Sequence, residues 1–208
     1  MPITQTFGFF SDTGLNTEFV GTYQLIHFTD LSDNPQDQLL YFGSQTPDRE
    51  VMTATNPGVD DVELSIIDTL PEWVATTAYI EGQMVQPVGG NGYKYRCTVG
   101  GNSNSSEPTW PVPPASYGTT VVDSTVTWAL ISPRHNLTEV KLALTSGGLD
   151  TAVGGDPLPL GNIISSGTGN KVEVHIRIEN AVDVVSANVG TPEIGLSLNA
   201  IIEVEAEV

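Results

Sequence analysis

The chain has 208 residues, and its 25 Asp and Glu set against 7 Lys and Arg give a formal charge of −18 at pH 7. That field repels phosphate backbones, and with no basic patch beyond the pair Lys94 and Arg96 it argues against nucleic-acid binding. An apolar share of 39% is enough for a buried core, while a single cysteine, Cys97, excludes an internal disulfide framework.

The amino-terminal stretch "MPITQTFGFF" lacks the basic region and long apolar run of a signal peptide, and no segment approaches the length of a membrane span. The expectation is therefore a chain that works in solution or in an assembly, with no membrane partner. Many Val, Thr and Ile residues, with 21 Gly and 14 Pro, favour strands and turns over helices. The segments "EFVGTYQLIHFT", "QLLYFGS" and "DDVELSIID" read as strands. Between the first two, the polar loop "TDLSDNPQDQ" gathers Asp30, Asp33, Asn34 and Asp37. These are hard oxygen donors of the kind calcium takes, but they lack the spacing of an EF-hand loop, so a polar loop without metal is the preferred expectation.

Residues 72–131 differ from their surroundings. All three tryptophans, Trp73, Trp110 and Trp128, fall here, as do Tyr79, Tyr93, Tyr95, Tyr117 and Cys97. Sixty residues poor in aliphatic side chains must build a core from rings, so Trp73, Tyr79, Tyr95 and Trp128 are expected inside. Asn91-Gly92 marks a hairpin turn, and Tyr93, Tyr95 and Cys97 share a strand face by parity. Trp110, between Pro108 and Pro111, is either a platform for a sugar ring or a peg folded back over the core. Glu107 either accepts sugar hydroxyls or caps the amides of its own loop.

Beyond the module, "EVKLALT", "KVEVHIRIENAVDVV", "IGLSLNA" and "NAIIEVEAEV" alternate with a period of two, the signature of half-buried antiparallel strands. In the second, Val172, Val174, Ile176 and Ile178 oppose Glu173, His175, Arg177 and Glu179, which are expected to be solvated. In the last, Glu203, Glu205 and Glu207 are expected to face water, where they guard a sheet edge or meet a basic partner. "SGGLDTAV" is the one short helix candidate.

These elements predict an all-β protein: a discontinuous antiparallel β-sandwich of roughly seven or eight strands, formed by 1–71 plus 132–208, with an inserted aromatic-rich β module at 72–131. Three successive small domains are the competing arrangement. His27, His135 and His175 are widely spaced and no nucleophile-elbow glycines occur, so catalysis is not expected. No cofactor is expected either. Cys97 has no second ligand at metal spacing and is expected to be a small buried hydrophobe.

Taken in order, Trp73, Tyr79, Gly82, Val85, Tyr95, Cys97, Glu107 to Pro111, Asp123, Val126 and Trp128 resemble the small carbohydrate-binding-module-like domain, of chitin-binding type, that recurs in structural proteins of tailed bacteriophages. The resemblance covers residues 72–131 only, and the segment "CTVGGNSNSS" departs from it by offering no exposed ring where such modules present one. It implies a non-enzymatic virion structural protein at the particle surface. Such a protein, most simply a capsid decoration protein, would dock by its sandwich on the major capsid protein or other virion proteins, as a homo-oligomer, and project the module outward. A tail, baseplate or collar location is the alternative. So is an adsorption protein holding a host surface glycan with Trp110, Tyr93, Tyr117 and Glu107.

Overall fold

The computed structural model describes residues 5–21, 34–181 and 192–206. Over these it is all-β and sandwich-like, and the chain divides into two compact units. One comprises Met1–Ile67, Asn136–Asn180 and Gly195–Val208; the other comprises Asp68–His135 and Ala181–Ile194. No described helix is long and apolar enough to cross a membrane.

The larger unit is built from strands on both sides of the aromatic segment. Strands β1 (Gly8–Phe10), β2 (Gln36–Gly43), β3 (Arg49–Thr53) and β4 (Val62–Asp68) precede it. After β5 to β10, all in the smaller unit, come β11 (Val140–Ala143), β12 (Leu158–Gly161), β13 (Ile164–Ser165), β14 (Val172–Ile178), β15 (Ile194–Leu198) and β16 (Ile201–Glu205). They form sheets ordered β1-β2-β14-β11, β12-β4-β15 and β13-β3-β16. Early and late strands therefore pair directly: Leu40 lies opposite Val174, Leu64 opposite Leu158, and Val51 opposite both Ile164 and Glu203. The described residues thus hold ten strands in this part of the chain, more than the seven or eight expected.

Alternation sets the core of this unit. Leu40, Phe42, Val51, Val62, Leu64, Leu142, Val174 and Ile176 are all buried. "SGGLDTAV" gives only a 3-10 turn over Ser146–Asp150, capped by the Thr145 side chain. Its two glycines disfavour longer helix, and Leu149 anchors it in the core. A β carbon on Gly154 would lie 1.9 Å from the Thr138 carbonyl oxygen, so that close passage of two backbones admits no side chain.

Two charged faces differ from expectation. Arg177 is not a solvated side chain: its guanidinium is bidentate to Asp37 (Nε–Oδ1 2.7 Å, Nη2–Oδ2 2.8 Å) and reaches Asp150 at 2.7 Å. The Ser146–Asp150 turn supplies that last acid. Glu203 is not in water either; its side chain is 4% exposed. It accepts the Thr6 N–H at 2.6 Å and the Thr6 hydroxyl at 2.7 Å, which satisfies the carboxylate without solvent. Ile202, which alternation sets on the face opposite Glu203, is exposed. Of the strand expected over "EFVGTYQLIHFT", only Glu18 to Gly21 lies among the described residues.

Candidate functional site: the aromatic module

The smaller unit contains β5 (Ala78–Tyr79), β6 (Met84–Val85), β7 (Tyr93–Val99), β8 (Gly101–Asn102), β9 (Thr120–Asp123) and β10 (Val126–Pro133). Four of these form the sheet β6-β7-β10-β9, and β5 pairs with β8. Its boundaries extend those predicted from composition at both ends, and the unit also takes in residues 181–194, which the sequence places with the sandwich.

Register decides which rings meet. Cys97 and Val121 both lie opposite Trp128, and Val85 and Leu130 both lie opposite Tyr95. Trp73, Tyr79, Val85, Tyr95, Cys97, Val126, Trp128 and Leu130 form one buried cluster, with Tyr93, Trp110 and Val121 packed against it half-buried. Tyr79 meets Trp128 edge-on at 4.8 Å between ring centres, a favourable quadrupole geometry.

Asp123 is the hub of this core. Although 2% exposed, its Oδ2 accepts both the Trp73 indole N–H at 2.8 Å and the Trp128 indole N–H at 3.1 Å. Its Oδ1 accepts the Asn104 amide at 2.8 Å. Both indoles, each with a donor that must be satisfied when buried, are thus fixed by one carboxylate. The turn after it is the two-residue Ser124-Thr125 link to Val126, with Ser124 at φ 58°.

Trp110 packs on Tyr95 at 4.3 Å between ring centres, tilted by 39°, and lies 5.8 Å from Trp128. Its indole N–H donates to Glu107 Oε1 at 2.7 Å, and the same oxygen accepts the Val88 amide at 2.9 Å. Tyr95 in turn donates its hydroxyl to the Pro111 carbonyl at 2.8 Å while accepting from Asn91. The loop Glu107–Pro111 is thereby stitched down at three points. The Trp110 ring thus packs on Tyr95 and its N–H bonds to Glu107, whose Oε1 accepts from the protein's own donors.

Of the other sequence-predicted sugar contacts, Tyr93 is half-buried against the cluster and Tyr117 is 40% exposed. Glu107 and Trp110 therefore come together with Tyr95, whereas Tyr117 stands on the far side of the loop's cis Pro113-Pro114 bond in sequence. Burial raises the pKa values of Tyr79, Tyr95 and Cys97, so all three stay protonated at neutral pH. The Cys97 thiol is fully buried and directed at the Val99 carbonyl.

A second arrangement closes the unit, and it was not foreseen from composition. Lys94, counted above as half of a basic pair, is fully buried and ion-paired to Glu193 Oε1. Glu193 Oε2 accepts the His135 amide at 2.9 Å, and the Glu193 carbonyl accepts the Thr69 amide at 3.0 Å. Beside it, Arg134 binds Asp68 Oδ2 at 2.6 Å and the Gln86 side-chain oxygen Oε1, while the Gln86 side-chain amide donates to Asp68 at 2.8 Å and to the Leu70 carbonyl at 2.9 Å. Asp68–Leu70, where the chain enters the unit, and Arg134–His135, where it leaves, are thus tied to the same few side chains.

Among the described residues no group of three His, Cys, Asp or Glu side chains could hold a metal ion. Asp37 is engaged by Arg177, and Asp30 and Asp33 lie outside the described residues. His175 lies 3.4 Å from Glu173, and His27 is outside the described residues. Two open concavities are lined by Gln5, Ile201, Ile202 and Glu203, and by Pro47, Asp48, Arg49, Glu205 and Ala206, all in the larger unit. Comparison with protein-family models, curated proteins and solved structures finds no match to this chain.

Proposed function

We propose that the protein is a non-enzymatic structural component of a tailed-bacteriophage virion, a capsid decoration protein that docks by its β-sandwich on the major capsid protein or a neighbouring virion protein. One observation supports the non-lectin side of this reading: the polar and aromatic side chains of the module bond to one another. Asp123 holds Trp73 and Trp128, and Glu107 holds Trp110 against Tyr95. A domain whose rings serve its own fold is suited to be a rigid, soluble building block, and a charge of −18 discourages random association of such blocks. The virion assignment itself rests on the resemblance of residues 72–131.

A carbohydrate-binding reading has one observation in its favour. Tyr117 is exposed, and Trp110 and Tyr93 keep part of their rings at the surface. In that version the module would present a shallow aromatic surface to a host glycan. A tail, baseplate or collar site would use the same docking chemistry at another place on the particle.

The test is electron microscopy with mass spectrometry of particles produced from the genome that encodes the chain. Symmetry-related copies on the capsid exterior are the expected result. Copies on the tail would favour the alternative site, and absence from purified particles would overturn the proposal. Retention of the isolated protein on a glycan array would favour the carbohydrate reading.

A further inference from the structure

The edge of the module sheet offers an interaction surface that does not depend on the virion reading. Strand β9 is the last in the order β6-β7-β10-β9. The Leu130 amide donates to the Thr119 carbonyl at 2.9 Å, and the following pairs are Thr120 with Ala129, Val121 with Trp128 and Val122 with Thr127. In an antiparallel ladder the bonded positions alternate, so Val121 and Asp123 turn their N–H and C=O groups to β10, as Thr119 does its C=O. Thr120 and Val122 turn theirs the other way. Both residues are exposed, Val122 at 68%, and no described residue covers those groups.

This edge is protected only by its four-residue length and by the inward Asp123 carboxylate at its end. Natural edge strands are guarded by lysines, prolines, bulges or inward charges. Here the run Thr119-Thr120-Val121-Val122 is uncharged and β-branched, and its register with β10 is unbroken. From Pro108 to Pro133 the only Asp, Glu, Lys, Arg or His is Asp123, whose carboxylate is buried under two indoles. On the sheet face beside it, Val122 and Val99 flank Thr127, and both valines are more than half exposed. In a chain with 25 acidic residues, an edge strand with no exposed charge of its own, whose nearest charged neighbour on that face is the cation Arg96 in the row of Thr120 and Ala129, is where two copies can approach without acidic repulsion.

We propose that β9 is a self-association edge: two copies of this chain pair antiparallel through Thr120–Val122 and join their module sheets across a two-fold axis. Centring the axis at Val121 sets Thr120 of one copy opposite Val122 of the other. Both outward-facing residues then exchange N–H···O=C bonds, four in all by symmetry, and Thr120 and Val122 side chains meet as cross-strand neighbours. A basic partner would choose the acidic surface elsewhere, whereas an uncharged edge offers main-chain bonding that an identical strand complements fully. A two-fold pairing uses each edge once, so the association closes at the dimer.

Sedimentation of the purified full chain from about 1 μM to about 1 mM tests this directly. The wild type is expected to pass from monomer to dimer as concentration rises. Val122→Lys and Thr120→Lys, both at exposed sites, should raise the dissociation constant at least about tenfold by setting a lysine at the pairing edge of each copy, diagonally across the axis from its like-charged mate, with unchanged melting. In hydrogen exchange, the amides of Thr120 and Val122 should gain protection with concentration. A monomer throughout, open-ended larger species, a dimer indifferent to both substitutions, or amides at 120 and 122 that exchange equally at all concentrations would overturn the proposal. If either lysine lowers the melting temperature, the exchange measurement on the unsubstituted chain decides.

Discussion

The indole N–H of Trp73 and the carboxylate of Asp123, 50 residues apart in sequence, meet at 2.8 Å in the interior of the module. Trp128 shares the same oxygen. Replacing Asp123 by Ala leaves two buried indole donors and the Asn104 amide without their acceptor, which should cost about 3 kcal/mol. Asp123→Asn keeps one carbonyl acceptor and should cost less. All three tryptophans lie in this unit, so the fluorescence midpoint in a urea titration reports it selectively. A midpoint for Asp123→Ala equal to that of the wild type would remove Asp123 as the hub.

Trp110→Ala should lower stability by about 2 kcal/mol, below the full range for a buried ring because Trp110 is half-buried. Trp110→Phe keeps the packing on Tyr95 but loses the bond to Glu107, and should fall between. If Trp110 is a glycan platform, the alanine variant would instead melt like the wild type while losing glycan-array retention seen in the parent. Thermal denaturation and the array, run on the same preparations, separate the two roles.

Lys94 and Glu193 form a buried pair, with side chains 0% and 9% exposed. Lys94→Met takes the buried cation from the Glu193 carboxylate and should destabilise by about 3–5 kcal/mol. Adding Glu193→Gln should recover much of that loss, because the uncompensated charge goes. A double-mutant cycle by chemical denaturation measures the coupling. Additive losses would show that the two charges do not act as a pair.

Why some of this was readable and some not follows from the distance over which each signal acts. The period of two in "KVEVHIRI" fixes Val174 and Ile176 as core because a strand's faces alternate by geometry alone. The burial of Trp73, Tyr79, Tyr95 and Trp128 follows from the lack of other large apolar mass in their segment. Glu203, by contrast, is buried because Thr6 reaches it from 197 residues away, and Lys94 because Glu193 lies 99 residues on. Neither partner leaves a mark in the local pattern, so both side chains look like ordinary surface charges. The Arg177 fork is hidden for the same reason: Asp37 is 140 residues distant, and nothing in "SGGLD" announces that Asp150 folds over the sheet.

That fork has a pH signature. Hydrogen bonding to Arg177 lowers the Asp37 pKa, and the same bonds raise that of Arg177, while the Thr17 amide is the chief cause of a lowered pKa at Asp12. A carboxyl whose folded pKa lies below its unfolded value of about 3.9 binds its proton more readily in the unfolded chain. Its contribution is therefore fully present above that value and is lost as pH falls through the folded pKa. Asp37→Asn should melt below the wild type at pH 7, with a gap that narrows once pH drops under about 4. Because Asp37 is 47% exposed, the gap at neutral pH should also shrink with added salt. Paired melting curves across pH and ionic strength check both trends; a gap constant from pH 7 to pH 3 would show that the Asp37–Arg177 pair contributes nothing through charge.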